Sequence, residues 1–370
     1  MSSDFIEFYG RHKISPVAQD VSNLDVHFSK RRALLISLGI MPMSLEGSSI
    51  LEFGPGSGHN ALYLASLGPS KFDLVEGNPT GLNRTRELLS GSANTEVIHC
   101  LFQKFETNEK YDLVWAEGCI PHNRNVNHLL NKVAEHTKLG GLLCVSTISG
   151  LSWLSEIFRR LIFLKYFKPK CEGIQILPEV REFYSKQLLN LKGMSRPIDD
   201  WLLDNIFQPL QDRELLSFVD VIKIIGNRFQ VVGTSPKFLI DWRWYKEIPA
   251  DPLTYNEHAL ASYYTTNINQ LDYRYVLPSH SFEIGYTLEL IGARAWGYMC
   301  EIESGKIESW DLFFSLIDEL KGILRQISSP TLVAIEEACG VLKEEINLEN
   351  IGEFSQWWGR GQQYVSLLRE

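Results

Sequence analysis

Ile50-Leu51-Glu52-Phe53-Gly54-Pro55-Gly56-Ser57-Gly58-His59-Asn60 reads as a short apolar strand that runs into a glycine turn and then into a helix. Three glycines spaced two apart permit positive φ angles and let bare backbone approach a ligand. The N–H groups that open the next helix favour a negative or electron-rich group. The turn is therefore read as a ligand site. A nicotinamide or flavin dinucleotide needs G-x-G-x-x-G, with a third small residue where the helix crosses the strand. Here that place is taken by His59.

Working outward, residues 49 to 146 alternate regularly. Short apolar runs at 49–53, 72–76, 96–100, 111–116 and 142–146 have the character of strands buried on both faces of a parallel sheet. Between them the pattern predicts helices at 60–67, from Pro79 onward, where the missing N–H costs nothing, and at 126–138 with a stop at Gly140-Gly141. Parallel strands joined by right-handed crossovers give an α/β fold with a doubly wound, Rossmann-like sheet, whose ligands bind beyond the carboxyl ends of the strands. Glu76 ends the second strand 18 residues after Gly58, where a carboxylate can accept both hydroxyls of a ribose.

The G-x-G-x-G turn with Glu52 two residues ahead of it, followed by Glu76, resembles the opening motifs of the class I S-adenosylmethionine-dependent methyltransferases over about residues 49–148. The resemblance implies S-adenosyl-L-methionine as cofactor, with Gly54, Gly56 and Gly58 as its bed and Glu52 at its amino acid end. Asn60 is either a further contact there or an ordinary first-turn residue. At the end of the third strand the family often carries an acid or amide beside the adenine. Here Leu101 or Phe102 would pack on the purine face and Gln103 would bond its amine, while the acid is displaced to Glu106. The loop Glu117-Gly118-Cys119-Ile120-Pro121-His122-Asn123 resembles the fourth motif but lacks the Asn/Asp-Pro-Pro-Tyr/Phe signature used for planar amines. His122 is the candidate base there, with Glu117 as its partner or as a cofactor contact; a packed or capping histidine is the competing reading.

The flanks carry fewer signals. Residues 1–48 read as a helical cap, with Phe5, Phe8 and Tyr9 at helical spacing, a break at Ser15-Pro16 and a helix over 26–38; Tyr9 to Lys13 is placed to cover the turn. The core spans 49–149. Residues 150–226, with Trp153, Ile157, Leu161 and Leu164 at helical spacing, read as an inserted helical lid, and 227–249 return to the sheet through a strand at 228–234. Residues 250–370 are expected to be mostly helical, with amphipathic stretches at 310–327 and 331–346. His12, Asp241, Arg243 and Arg274 are candidate substrate contacts, and Trp242, Trp244 and Tyr245 either stack on a ring or belong to a core.

Composition excludes several classes. A net charge of −9 argues against a nucleic-acid partner, and Lys30-Arg31-Arg32 reads as a solvated helix face. Six scattered cysteines without a C-x-x-C pair read as free thiols, so neither disulfides nor a metal is expected. No run of about 18 apolar residues escapes charge, and Asp4 and Glu7 stand where a secretory signal would be basic and then apolar, so cytoplasmic residence and no membrane partner are expected. The expected activity is methyl transfer to an oxygen or nitrogen of a small-molecule or sugar-containing acceptor. A protein or peptide side chain as acceptor, and a non-catalytic binding protein on the same scaffold, are the alternatives.

Overall fold

The computed structural model describes residues 4–15, 19–170, 173–307 and 309–370, with backbone alone for Asp4 and Phe5. The expected break at Pro16, the spacing role of the Phe5 side chain and the thiol of Cys171 lie outside the described residues. The chain divides into two compact units: residues 1–147, 214–262 and 362–370 form the first, and residues 148–213 and 263–361 the second.

The first unit opens with helices α1 (Asp4–His12) and α2 (Leu24–Ser37). The alternation then follows as β1 (Ser49–Phe53), α3 (Ala61–Ser66), β2 (Lys71–Glu76), α4 (Pro79–Leu88), β3 (Thr95–His99), β4 (Tyr111–Ala116), α5 (Val126–Glu135) and β5 (Thr137–Thr147). Asn78 caps α4 by accepting the Thr80 N–H at 3.0 Å, with Pro79 at the first helical position as expected. The second unit takes up the chain with α6 (Leu154–Tyr166), α7 (Leu177–Leu188) and α8 (Ile198–Leu202). The first unit resumes with α9 (Phe218–Ile225), β6 (Phe229–Ser235) and most of α10 (Tyr255–Tyr264). Helices α11 (Phe282–Glu303), α12 (Asp311–Leu324), α13 (Ser329–Leu342) and α14 (Gly352–Gln356) complete the second, and β7 (Gln363–Arg369) returns to the first.

The sheet has seven strands in the order β3-β2-β1-β4-β5-β7-β6. All neighbours from β3 to β5 are parallel, and β7 runs antiparallel between β5 and β6. The core lies on the central strands, where Ile50, Leu74, Leu113 and Trp115 are fully buried with Tyr63 and Leu64 of α3. The order reverses at β1 and β4, so their carboxyl ends open the crevice in which a doubly wound sheet binds its ligand.

Two sequence expectations are corrected. The helix expected over 126–138 ends at Glu135, because Thr137 already pairs with Tyr111; Gly141 marks a register shift within β5 and not a helix stop. A Cβ on Gly141 would lie 3.1 Å from the carbonyl oxygens of Tyr111 and Asp112, so the strand crosses that irregularity only without a side chain. The stretch expected to be helical to residue 370 ends instead in β7, whose Val365 and Leu367 are buried and whose Ser366 hydroxyl donates to the Leu38 carbonyl. In the second unit, α6 and α11 meet where a Cβ on Gly150 would lie 2.0 Å from the Gly292 carbonyl oxygen, and Ile157 and Leu161 are fully buried.

Candidate active site

All three glycines of the turn adopt left-handed backbone: φ is +68° at Gly54, +60° at Gly56 and +79° at Gly58. A Cβ on Gly54 would stand 2.7 Å from the Cys119 Cβ and 3.1 Å from the Phe102 ring; one on Gly58 would stand 3.1 Å from Thr85. Thr85 in turn donates its hydroxyl to the Gly56 carbonyl at 2.8 Å. The backbone is thus held in a shape that any side chain would fill.

Three carboxylates surround the turn. Glu76 accepts the Gly56 N–H at 2.9 Å with one oxygen and the Asn78 N–H at 2.7 Å with the other, which fixes it at the end of β2. Burial nevertheless pushes its carboxyl up to about 7, against the pull of those backbone N–H groups. Glu52 is 2% exposed, and its Oε2 has no hydrogen-bond partner among the described residues. Burial first and the nearby Glu117 second push it up to about 8, partly offset by Arg31. A buried polar atom left unpaired on a glycine cradle is the mark of a site made for a hydrogen-bonding or cationic group.

Glu117 is the opposite case. Its carboxylate accepts five hydrogen bonds: two from Arg31 at 3.1 and 2.8 Å, and one each from Asn60 Nδ2 at 3.0 Å, Trp115 Nε1 at 3.0 Å and Tyr364 Oη at 2.7 Å. Although burial opposes ionisation, the Arg31 guanidinium and these donors hold Glu117 below the usual carboxylate range. It is a fixed anion whose lone pairs are taken, so it does not serve as a proton acceptor. Asn60 spends its amide on Glu117 instead of capping α3. Arg31 is buried and 5.4 Å from the centre of the Trp115 ring, which corrects the reading of Lys30-Arg31-Arg32 as a solvated face. Arg31, Trp115 and Tyr364 were not singled out from sequence as site residues. The first was hidden in a run of basic residues, and the last lies 247 positions from its partner.

The N-terminal segment lies against this region. His27 on α2 meets the His59 carbonyl at 2.9 Å, and Asn78 donates to the Ile14 carbonyl at 3.1 Å. Ile6 and Leu101 crowd the position of a Cβ on Gly77 at 2.7 and 3.0 Å. His12 packs at a tilt against Phe8 with ring centroids 4.5 Å apart, and burial lowers its affinity for a proton. At the end of β3, Phe102 packs edge-on to Phe53 at 5.5 Å and lies beneath Gly54, whereas Gln103 and Glu106 are exposed.

The loop after β4 is pinned. Asn123 donates to the carbonyls of Cys119 at 2.7 Å and Ile120 at 3.0 Å, and the His122 N–H donates to the Glu214 carbonyl at 2.8 Å. His122 has φ of +63° and a half-buried side chain. Burial and the three surrounding carboxylates hold the Cys119 thiol protonated, so it is no nucleophile.

The remaining candidates are in closed pairs. Arg243 grips Asp241 at 3.0 and 2.7 Å, beside the exposed Trp242, Trp244 and Tyr245, which thus form no core. Arg274 belongs to the second unit, paired with Asp272 at 2.8 Å and Glu353 at 3.3 Å. Among the described residues no group of three or more His, Cys, Asp or Glu side chains is placed to hold a metal ion, and no helix is long and apolar enough to cross a membrane.

Residues 28–194 match the family described as a methyltransferase domain, a span that holds the glycine turn, Glu52, Glu76, Glu117 and His122. Over that span, which is less than half of the chain, the sequence is similar to a methyltransferase domain. The (S)-coclaurine N-methyltransferase of Papaver somniferum is 30% identical to this chain over 118 residues, which cover 28% of the chain and 30% of that relative's length. Among solved structures, the N-methyltransferase NodS of Bradyrhizobium japonicum WM9 is 14% identical over 61% of this chain and 88% of its own, with a TM-score of 0.38. PKMT2 of Rickettsia typhi is 15% identical over 62% of this chain and 49% of its own, with a TM-score of 0.43. Of the residues that hold the Glu117 carboxylate, Tyr364 lies outside the matched span.

Proposed function

We propose that the protein is an S-adenosylmethionine-dependent methyltransferase acting on an oxygen or nitrogen of a small-molecule acceptor. One observation carries the reading: the buried, unpartnered Oε2 of Glu52 beside a left-handed glycine cradle, with Glu76 at the neighbouring strand end. This set fits the cofactor. Glu52 faces its amino acid end as an acceptor for the ammonium, the three glycines lie under it, and Glu76 has lone pairs left for ribose hydroxyls. Phe102 and Gln103 flank the adenine. When bound, the cofactor supplies an electrophilic methyl on a sulfonium.

For such a displacement the protein has mainly to align, exclude water and receive a proton. Glu117, locked by five donors and neutralised by Arg31, fixes the carboxyl ends of β1 and β4 beside the turn. His122, on a loop held by Asn123 and Glu214, is the group assigned to orient or deprotonate the acceptor. The curated relative is by name an N-methyltransferase, which favours nitrogen over oxygen. Calorimetry with S-adenosylhomocysteine tests the reading: micromolar binding to the wild type and a loss of about 1 to 3 kcal/mol in Glu76→Ala are expected. Tight binding of a nicotinamide cofactor in its place would refute it.

A further inference from the structure

A cavity of about 480 Å³ lies between residues 105–110 and the end of α5, walled by Phe105, Glu106, Lys110, Lys132, Glu135 and His136. None of these belongs to the glycine turn or its carboxylates. His136 is 6% exposed, with its ring 5.8 Å from Phe53 and 5.3 Å from Phe105, and neither ring nitrogen has a hydrogen-bond partner. Its backbone alone does the structural work, accepting the Tyr111 N–H at 2.8 Å where β4 starts. A buried imidazole unpaired at both nitrogens is costly, and packing between two phenyl rings would be served better by an apolar residue.

Beside it Lys110 is exposed and Lys132 half-buried. Lys110 and Lys132 have no ion-pair partner among the described residues, although Glu106 and Glu135 line the same cavity. Burial first, then these two lysines, with Glu135 opposing, depress His136 to about 4, so the ring is neutral at neutral pH and offers an N–H donor. Two lysines and this unpaired donor line one cavity with two exposed carboxylates, and the ammonium groups together with the donor can take an anion. A carboxylate brings one charge for two lysines, whereas a phosphate monoester brings nearly two charges and three acceptor oxygens. The cavity is larger than a bare phosphate and within the range of small-molecule sites.

We propose that this cavity is a second ligand site, one for a phosphate monoester, with Lys110 and Lys132 on the phosphoryl oxygens and His136 donating to one of them. The organic part lies along Phe105, Thr107 and Asn108. The test follows the ring resonances of His136 by NMR in the full chain while inorganic phosphate, glycerol phosphate or chloride is added. Both phosphates are expected to shift them saturably in the millimolar range, glycerol phosphate more tightly, and to raise the pH at which His136 titrates. Lys110→Ala and Lys132→Ala, at positions outside the core, should each weaken the effect by about tenfold. Inorganic phosphate binding as tightly as the ester would leave a free-phosphate site and overturn the ester assignment. No shift with either phosphate, an equal shift with chloride, or full persistence in the lysine variants would overturn the site altogether.

Discussion

Arg31 and Glu117 meet fork to fork, with the two guanidinium nitrogens 3.1 and 2.8 Å from the two carboxylate oxygens, both side chains nearly sealed from water. The pair ties α2 to the end of β4, and Tyr364 brings β7 to the same carboxylate. Removing one partner strands a buried charge. Arg31→Ala is expected to cost about 3 to 5 kcal/mol of stability, and Tyr364→Phe, which deletes one hydrogen bond to a charged group, about 1.5 to 3 kcal/mol. Combining Arg31→Met with Glu117→Gln should recover part of the larger loss. Chemical denaturation checks the order; a silent Arg31→Ala would show that the clamp does not hold α2.

Glu52 trades stability for function. Its folded value near 8 lies above the ordinary 4.5, so the folded chain binds a proton that the unfolded chain releases. The penalty is absent below pH 4.5, grows as pH rises toward 8 and then levels off. Glu52→Gln, neutral at every pH, should therefore melt with the wild type at pH 4.5 and above it at pH 8, while binding S-adenosylmethionine more weakly. Binding of the cofactor's ammonium by the wild type should expel a proton near pH 7, read as a dependence of calorimetric heat on buffer ionisation enthalpy. Equal melting curves across that range would remove the charge argument.

Gly54→Ala tests the cradle. The new methyl would meet Cys119 at 2.7 Å in a left-handed backbone, whereas Gly91→Ala, with nothing within 4 Å and no positive φ, is a neutral comparison. Affinity for S-adenosylhomocysteine should fall more than tenfold in the first, together with a stability loss of about 1 to 2 kcal/mol, and in the second should not change.

The parts of this fold legible in the sequence are those dictated locally. Apolar runs and a glycine turn imply β1 and its crevice because positive φ and burial on both faces restrict residue choice at each position. Pairings made across the chain leave no such trace. Arg31 looks like its solvated neighbours Lys30 and Arg32 until Glu117 is placed opposite it. Gln363 to Arg369 is as long as the runs read as strands, but Ser366 and its polar ends interrupt the apolar pattern, and its partners β5 and β6 lie far along the chain. Gly140-Gly141 reads as a helix end, yet it serves a strand, because glycine answers to close backbone approach in either element.

His122 is the residue to which the proposed activity assigns the acceptor's proton. Its loop follows β4 at the carboxyl edge of the sheet, and the bonds from Asn123 and to Glu214 fix the backbone from which the imidazole projects. Imidazole exchanges protons near neutral pH, and the other acid of the loop, Glu117, is locked as an anion. A base at that place contributes about 10²- to 10⁴-fold, so His122→Asn should lower turnover by that amount with S-adenosylhomocysteine affinity nearly unchanged. A histidine serving only to close the loop would instead lower the melting temperature and affect binding and turnover together. Near-normal turnover would remove His122 from the reaction and leave alignment as the whole of the catalysis.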